Sequence, residues 1–200
     1  MKKFVLKLVR GIYRFLFKVE IEGLENIPTD KNFVVTPNHL SNFDPPLVAA
    51  FMPIDNMAYM AKASLFKVPV VAQVIRAFDA FPVKRGEGMA AIRTAIKLLK
   101  EGRCLVVFPE GKRVRTPGTL GKGKSGAVMI ASNARVGILP VGIEATYKFR
   151  SRVKLTVGEY IDLSEYYTEK KLSAEDVQSI TDDVVMEKIA VLSGAKTYGN

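Results

Sequence analysis

Short apolar runs, separated by polar breaks rich in glycine and proline, set the pattern of this chain. Phe33-Val34-Val35 and Cys104 to Phe108 are apolar at consecutive positions and too short for helices. Such runs predict strands buried on both faces, as in a parallel or mixed sheet covered by helices. Met57 to Met60 predicts a further short buried strand, and Phe81-Pro82-Val83 a brief extended one. Val136 to Ile143 predicts a strand interrupted by Pro140. Val153 to Val157 alternates apolar with polar and predicts an edge strand. Between these runs lie helical patterns. Leu47 to Met52 is a short one, and Val68 to Phe78 is apolar enough for a largely buried helix. Gly88 to Leu99 carries Met89, Ile92, Ile96 and Leu99 at helical spacing and closes on Lys100-Glu101-Gly102, a stop signal. Ser125 to Ala134 opens another. Ser173 to Leu192 is a closing helix, with Ser173 as N-cap, Asp176 completing a near capping box, and Val177, Ile180, Val184, Ile189 and Leu192 as its inner face. The expected fold is α/β, a mixed, mostly parallel sheet with helices on both faces. An N-terminal amphipathic helix precedes it, so residues 1–19 form one unit and residues 20–200 a single domain.

Wound at about 100° per residue, the N-terminal helix places Phe4, Leu8, Ile12, Phe15, Leu16 and Val19 on one arc. Lys3, Lys7, Arg10, Arg14 and Lys18 fall on another, and no acid appears before Glu20. Such a helix either packs on the core with a solvated basic face or lies in a membrane interface with its cations near anionic headgroups. The absence of any balancing acid favours the second. Glu22 to Pro28 reads as a strand end and a turn.

Charge extends this picture. Thirty Lys and Arg against twenty Asp and Glu leave a formal +10, which suits an anionic partner. Few aromatics lie among the basic residues beyond the first helix, which argues against single-strand binding, and no nucleic-acid partner is expected. The single cysteine, Cys104, excludes an internal disulfide and reads as a small core residue. No metal site is expected. No uncharged run reaches the roughly 20 apolar residues of a membrane-crossing helix, and the N-terminus lacks the features of a signal peptide.

The only histidine, His39, stands in Asn38-His39-Leu40-Ser41-Asn42-Phe43-Asp44-Pro45, directly after the apolar run at 33–35. A carboxylate at one ring nitrogen fixes the tautomer and leaves the other nitrogen free to accept a proton. By itself this pattern also fits a loop histidine beside a helix-capping aspartate. Position adds weight. His39, the pair Lys84-Arg85, and Glu110-Gly111-Lys112-Arg113 each fall just past the C-terminal end of an expected strand. Those ends share one rim in an open α/β sheet, where ligands bind. Phosphate suits such cations, because Arg binds it bidentately and Lys as a point charge.

Four blocks, Asn38-His39-x4-Asp44-Pro45, Phe81 to Gly86, Phe108 to Arg113 and Ile138 to Gly142, occur in order. Together they resemble the conserved blocks of the glycerolipid acyltransferases, of the bacterial 1-acylglycerol-3-phosphate acyltransferase type, over about residues 23–160. The resemblance implies acyl transfer from acyl carrier protein or coenzyme A to the free hydroxyl of lysophosphatidic acid, with no other cofactor. Glycerol 3-phosphate or another lysophospholipid is the alternative acceptor. His39 would be the general base, oriented by Asp44. Lys84, Arg85, Arg113 and Arg115 would hold the acceptor phosphate, and Glu110 and Gly111 would shape its site. Pro140 would belong to the wall beside the acyl chain or to the strand rim. The family usually has Thr or Ser where Lys112 stands, and often Ser where Val114 stands. The implied location is peripheral, on the cytoplasmic face of the cell membrane, whose anionic surface is an expected partner.

One further pattern competes. Gly118-Thr119-Leu120-Gly121-Lys122-Gly123-Lys124-Ser125 matches the phosphate-cradling loop of nucleotide hydrolases. That loop should follow a buried strand at once, whereas polar, proline-broken Arg113 to Pro117 precedes it. The alternative is a basic glycine-rich loop beside the acceptor, with Lys122 or Lys124 near anionic groups.

Overall fold

The computed structural model describes residues 2–83, 86, 88–116, 118–167 and 172–198. In chain order these residues form α1 (Lys2–Leu16), β1 (Lys18–Glu22), β2 (Phe33–Pro37), α2 (Asp44–Phe51), β3 (Met57–Lys62) and α3 (Pro69–Ala77). Then come β4 (Ala80–Val83), α4 (Gly88–Lys100), β5 (Cys104–Val106), β6 (Thr119–Leu120), α5 (Gly126–Ala134), β7 (Gly137–Ala145) and β8 (Arg152–Val157). The chain closes with α6 (Ala174–Ser179), a π-helical stretch (Ile180–Met186), α7 (Glu187–Ser193) and β9 (Thr197–Tyr198). A seven-stranded sheet runs β1-β8-β7-β2-β5-β3-β4, and β6 pairs with β9 in a small second sheet. Every pairing in the large sheet is parallel except β7 with β8.

The alternation of side chains across the pleat builds two cores from one sheet. Phe33, Val35, Val106, Leu139 and Val141 face one side with Tyr13, Phe17, Leu47 and Phe78. Val34, Leu105 and Ile138 face the other with Ala95, Leu99, Val128 and Ile189. Helices therefore cover both faces. Cys104 is buried in the first core, and burial pushes its thiol above the ordinary range.

Several elements differ from expectation. Val153 to Val157 alternates, yet β8 lies inside the sheet, between β7 and β1. Its alternation reports a sheet half-covered on one side, and the edge belongs to β1. Glu20 and Glu22 on β1 pair with Arg152 and Lys154 across the strands, each at 2.7 Å. Pro140 does not interrupt β7. Its carbonyl accepts from Gly158 N, so its missing N–H faces the β8 side, just past the last registered pair, Val141 with Val157. The helix α3 is not largely buried: Ala72 is its buried residue among those described, and the flanking Val68 is 48% exposed.

The closing helix carries the expected Ser173–Asp176 capping box. The π-helical stretch then widens its turn, so the buried face runs Val177, Ile180, Thr181, Val185, Met186, Ile189 and Ser193, with Val184 and Leu192 only half-buried. At the other terminus, α1 stops at Leu16 and Lys18–Glu22 is strand, so the helix is shorter than 1–19. It also packs on the domain. Tyr13 is buried, and Lys2 Nζ reaches Asp79 at 2.7 Å. Val5, Leu6 and Val9 meet the first core, while Phe4, Leu8, Ile12 and Phe15 stay exposed. Arg10 turns inward to donate to the carbonyl of Ala50. Among the described residues, no helix is long and apolar enough to cross a membrane.

Candidate active site

The central strand β2 ends at Pro37, and the next residue continues its ladder by side chain alone. The buried Asn38 amide donates Nδ2–H to the Ile143 carbonyl at 2.9 Å and accepts from Ile143 N at 2.6 Å. One side-chain amide thus replaces one residue of strand pairing, and β7 can run past β2. His39 follows. Its backbone N–H donates to Glu110 Oε1 at 2.6 Å, and its carbonyl accepts from Val114 N at 2.8 Å. The segment after β5 therefore grips the histidine from both backbone sides, while the imidazole lies against the Phe108 ring with centroids 4.3 Å apart.

His39 Nδ1 lies 2.8 Å from Asp44 Oδ2. The same oxygen accepts the N–H groups of Leu40 at 2.7 Å and Ser41 at 2.6 Å. An oxygen that already faces two donors is an acceptor, so Nδ1 carries a proton, and in the neutral imidazole Nε2 holds the free lone pair. The Asp44 side chain is fully buried and that of His39 is 17% exposed. Asp44 opens α2, yet its carboxylate turns back to the loop at 39–41 and caps no helical N–H. Its other oxygen accepts from the Tyr147 hydroxyl at 2.5 Å. Burial, and next to it the Asp44 charge, pushes the Tyr147 phenol far above its ordinary range.

Glu110 is a buried carboxylate with two backbone donors, His39 N and Gly121 N, the latter at 2.9 Å. Burial raises its pKa, and the two N–H bonds oppose that rise. Gly121 must lack a side chain, because a Cβ there would stand 2.7 Å from Glu110 Oε2 and from Val114. Gly111 turns at φ +64 against the Lys124 side chain. Glu110 thus ties β2's end to the glycine-rich loop.

Four of the expected cations lie on two segments that meet at Pro109. Lys112, Arg113, Arg115 and Lys124 are all exposed, and among the described residues none has an acidic partner within 4.0 Å. Arg113 and Arg115 bracket Val114, the residue bonded to the His39 carbonyl, so their backbone runs beside that of the histidine. Lys124 N donates to Pro109 O at 2.8 Å, which brings the glycine-rich loop alongside the Glu110 turn. Lys84 and Arg85 lie outside the described residues.

The nucleotide-cradle reading of residues 118–125 loses several of its backbone donors. Gly121 N is held by Glu110, Lys124 N by Pro109 and Thr119 N by Thr116, and Thr119-Leu120 pairs with β9. Sequence reading missed Tyr147, although the signal was present. β7 is the parallel neighbour of β2, and Tyr147 stands two residues past its C-terminal end, on the same rim as His39 and Glu110.

A three-layer α/β enzyme with a His–Asp pair on its rim is what this fold and site define. Residues 18–144 match the model of the acyltransferase family, and the chain belongs to that family. The 1-acyl-sn-glycerol-3-phosphate acyltransferase of Bacillus subtilis (strain 168) is 29% identical over 172 residues, 83% of this chain and 85% of that protein. Its counterpart in Borreliella burgdorferi is 32% identical over 190 residues, 88% of this chain and 73% of that protein. The crystal structure of the 1-acyl-sn-glycerophosphate (LPA) acyltransferase PlsC from Thermotoga maritima matches with a TM-score of 0.74 at 32% identity. That match covers 96% of this chain and 79% of that one.

Proposed function

We propose that this enzyme moves a fatty acyl group from acyl carrier protein or coenzyme A to the free hydroxyl of 1-acylglycerol 3-phosphate, giving phosphatidic acid. The observation that carries the reading is the imidazole bonded through Nδ1 to a buried carboxylate on the sheet rim, with its backbone bonded to the segment that carries exposed Lys112, Arg113 and Arg115. The names of the relatives supply the acceptor.

In this mechanism Nε2 of His39 takes the proton from the acceptor hydroxyl as its oxygen attacks the thioester carbonyl. Asp44 stabilises the imidazolium that forms. The tetrahedral intermediate expels the thiolate, which recovers the proton from His39, so no acyl-enzyme and no cofactor beyond the acyl donor is required. General-base assistance contributes roughly 10²- to 10⁴-fold, and a phosphate gripped by Arg113, Arg115, Lys112 and Lys124, with Lys84 and Arg85, aligns the hydroxyl.

The reading includes peripheral attachment to the cytoplasmic face of the membrane. The exposed stripe of Phe4, Leu8, Ile12 and Phe15 on α1, with exposed Lys3, Lys7 and Arg14 beside it, supports this. Such a face suits burial in an anionic interface.

The test is acyl transfer by His39→Ala to 1-acylglycerol 3-phosphate and to glycerol 3-phosphate, from both donors. We expect the first acceptor to be preferred and the variant to fall to background while its melting curve stays that of the wild type. Full activity in the folded variant refutes the base.

A further inference from the structure

Asp44 is fixed at both oxygens by different parts of the chain. Oδ2 is filled by His39 Nδ1 and by the N–H groups of Leu40 and Ser41. Oδ1 takes the Tyr147 hydroxyl at 2.5 Å, and Tyr147 reaches it from the far end of β7, 103 residues along the chain. Donors on both oxygens, two backbone N–H groups on Oδ2 and the phenol on Oδ1, set the plane of the carboxylate, and the plane sets where the imidazole sits. The protonation of the phenol matches this role, since burial and the Asp44 charge keep it a donor.

The tyrosine is itself held firmly. Its ring stacks on Phe43 at 5.3 Å and meets Phe17, just past α1, edge-on at 5.5 Å. Tyr147 and Arg150 both adopt left-handed backbone, at φ 53 and φ 62. Non-glycine residues rarely do so unless the surroundings impose it. Here the backbone of Arg150 donates to Leu16 O at 2.6 Å and closes the loop onto the end of α1.

We propose that Tyr147 is a positioning residue for acyl transfer: its hydroxyl orients Asp44 and, through Asp44, fixes the tautomer and aim of His39. The inference rests on the base role given to His39 above. A tyrosine that only filled the space between α1 and β7 would lose nothing on becoming phenylalanine.

His39 is the only histidine in the chain, so the full-length protein labelled with ¹⁵N-histidine shows one imidazole. The wild type should show the Nδ1–H tautomer alone. In Tyr147→Phe we expect ring nitrogen shifts that report a mixture of tautomers. We also expect kcat to fall about tenfold, with KM for donor and acceptor kept within about twofold, as for loss of transition-state alignment alone. Tyr147→Met, which also lacks the donor, goes through the same measurements in case the first variant melts below the assay temperature. An imidazole spectrum unmoved in the folded variant overturns the proposal whatever happens to kcat, and so does an unchanged kcat. Activity retained by His39→Ala is a separate failure. It removes the base, while the ring shifts still report whether Tyr147 orients His39.

Discussion

Replacing Asn38 by alanine isolates the device that lets β7 outrun β2. The Asn38 side chain is buried, and Ile143, whose N–H and C=O it pairs, is 1% exposed. Both groups of Ile143 point away from β8, because a strand residue directs its N–H and C=O to the same side and the neighbouring Pro140 and Gly142 face β8. Truncation therefore leaves one buried donor and one buried acceptor without partners. Each orphaned group costs about 1–3 kcal/mol, so the variant should lose about 4 kcal/mol. For a domain of this size each kcal/mol lowers the melting temperature by about 2–4 °C, which gives a fall of roughly 8–16 °C. Urea unfolding followed by circular dichroism should show a lower midpoint at unchanged slope. Asn38→Asp sharpens the test. It keeps an acceptor for Ile143 N and sets an oxygen against the Ile143 carbonyl, so it should be destabilised as well. A melting temperature within about 2 °C of the wild type in both variants, against the 8–16 °C expected, refutes the claim that this amide stands in for a strand residue.

Arg113→Ala should raise KM for the phosphorylated acceptor and leave kcat near the wild-type value, because it removes binding shared by ground and transition states. Steady-state kinetics checks this, and an unchanged KM takes Arg113 out of the phosphate site. Phe4→Ser and Phe15→Ser, at positions 72% and 66% exposed, should leave thermal stability unaltered. They should weaken binding to anionic vesicles by about tenfold or more each, since burying a phenyl side chain is worth roughly 1.5–3 kcal/mol. Vesicle sedimentation reads the effect, and undiminished binding returns that face to solvent.

The aromatic cluster gives α1 a second meaning. Tyr13 donates its hydroxyl to the Phe43 carbonyl at 2.6 Å, one residue before Asp44, and Phe17 packs on both Phe43 and Tyr147. The helix that carries the exposed apolar stripe thus also contributes to the support of the carboxylate.

Local chemistry decided much in advance. The apolar runs at 33–35, 57–60 and 104–106 are strands because only a covered sheet hides them, while Val107 and Phe108, expected in the last of these, lie half-buried past its end, where Phe108 meets the imidazole. Ser173 with Asp176 caps a helix through bonds that span three residues. His39 and Asp44 are five positions apart, and a single turn brings them together. What the chain could not announce is long-range partnership. Alternation at 153–157 describes one face of a strand and says nothing of its neighbour, so β8 passed for an edge until β1 paired with it. The widened π-helical turn shifted the buried face of the last helix, because packing over the sheet overrode the ideal period. Asn38 with Ile143, Glu110 with Gly121, and Tyr147 with Asp44 are partners only once β2, β5 and β7 lie side by side. Hydrogen bonds between side chains and distant backbone depend on register, and register is settled by the sheet as a whole.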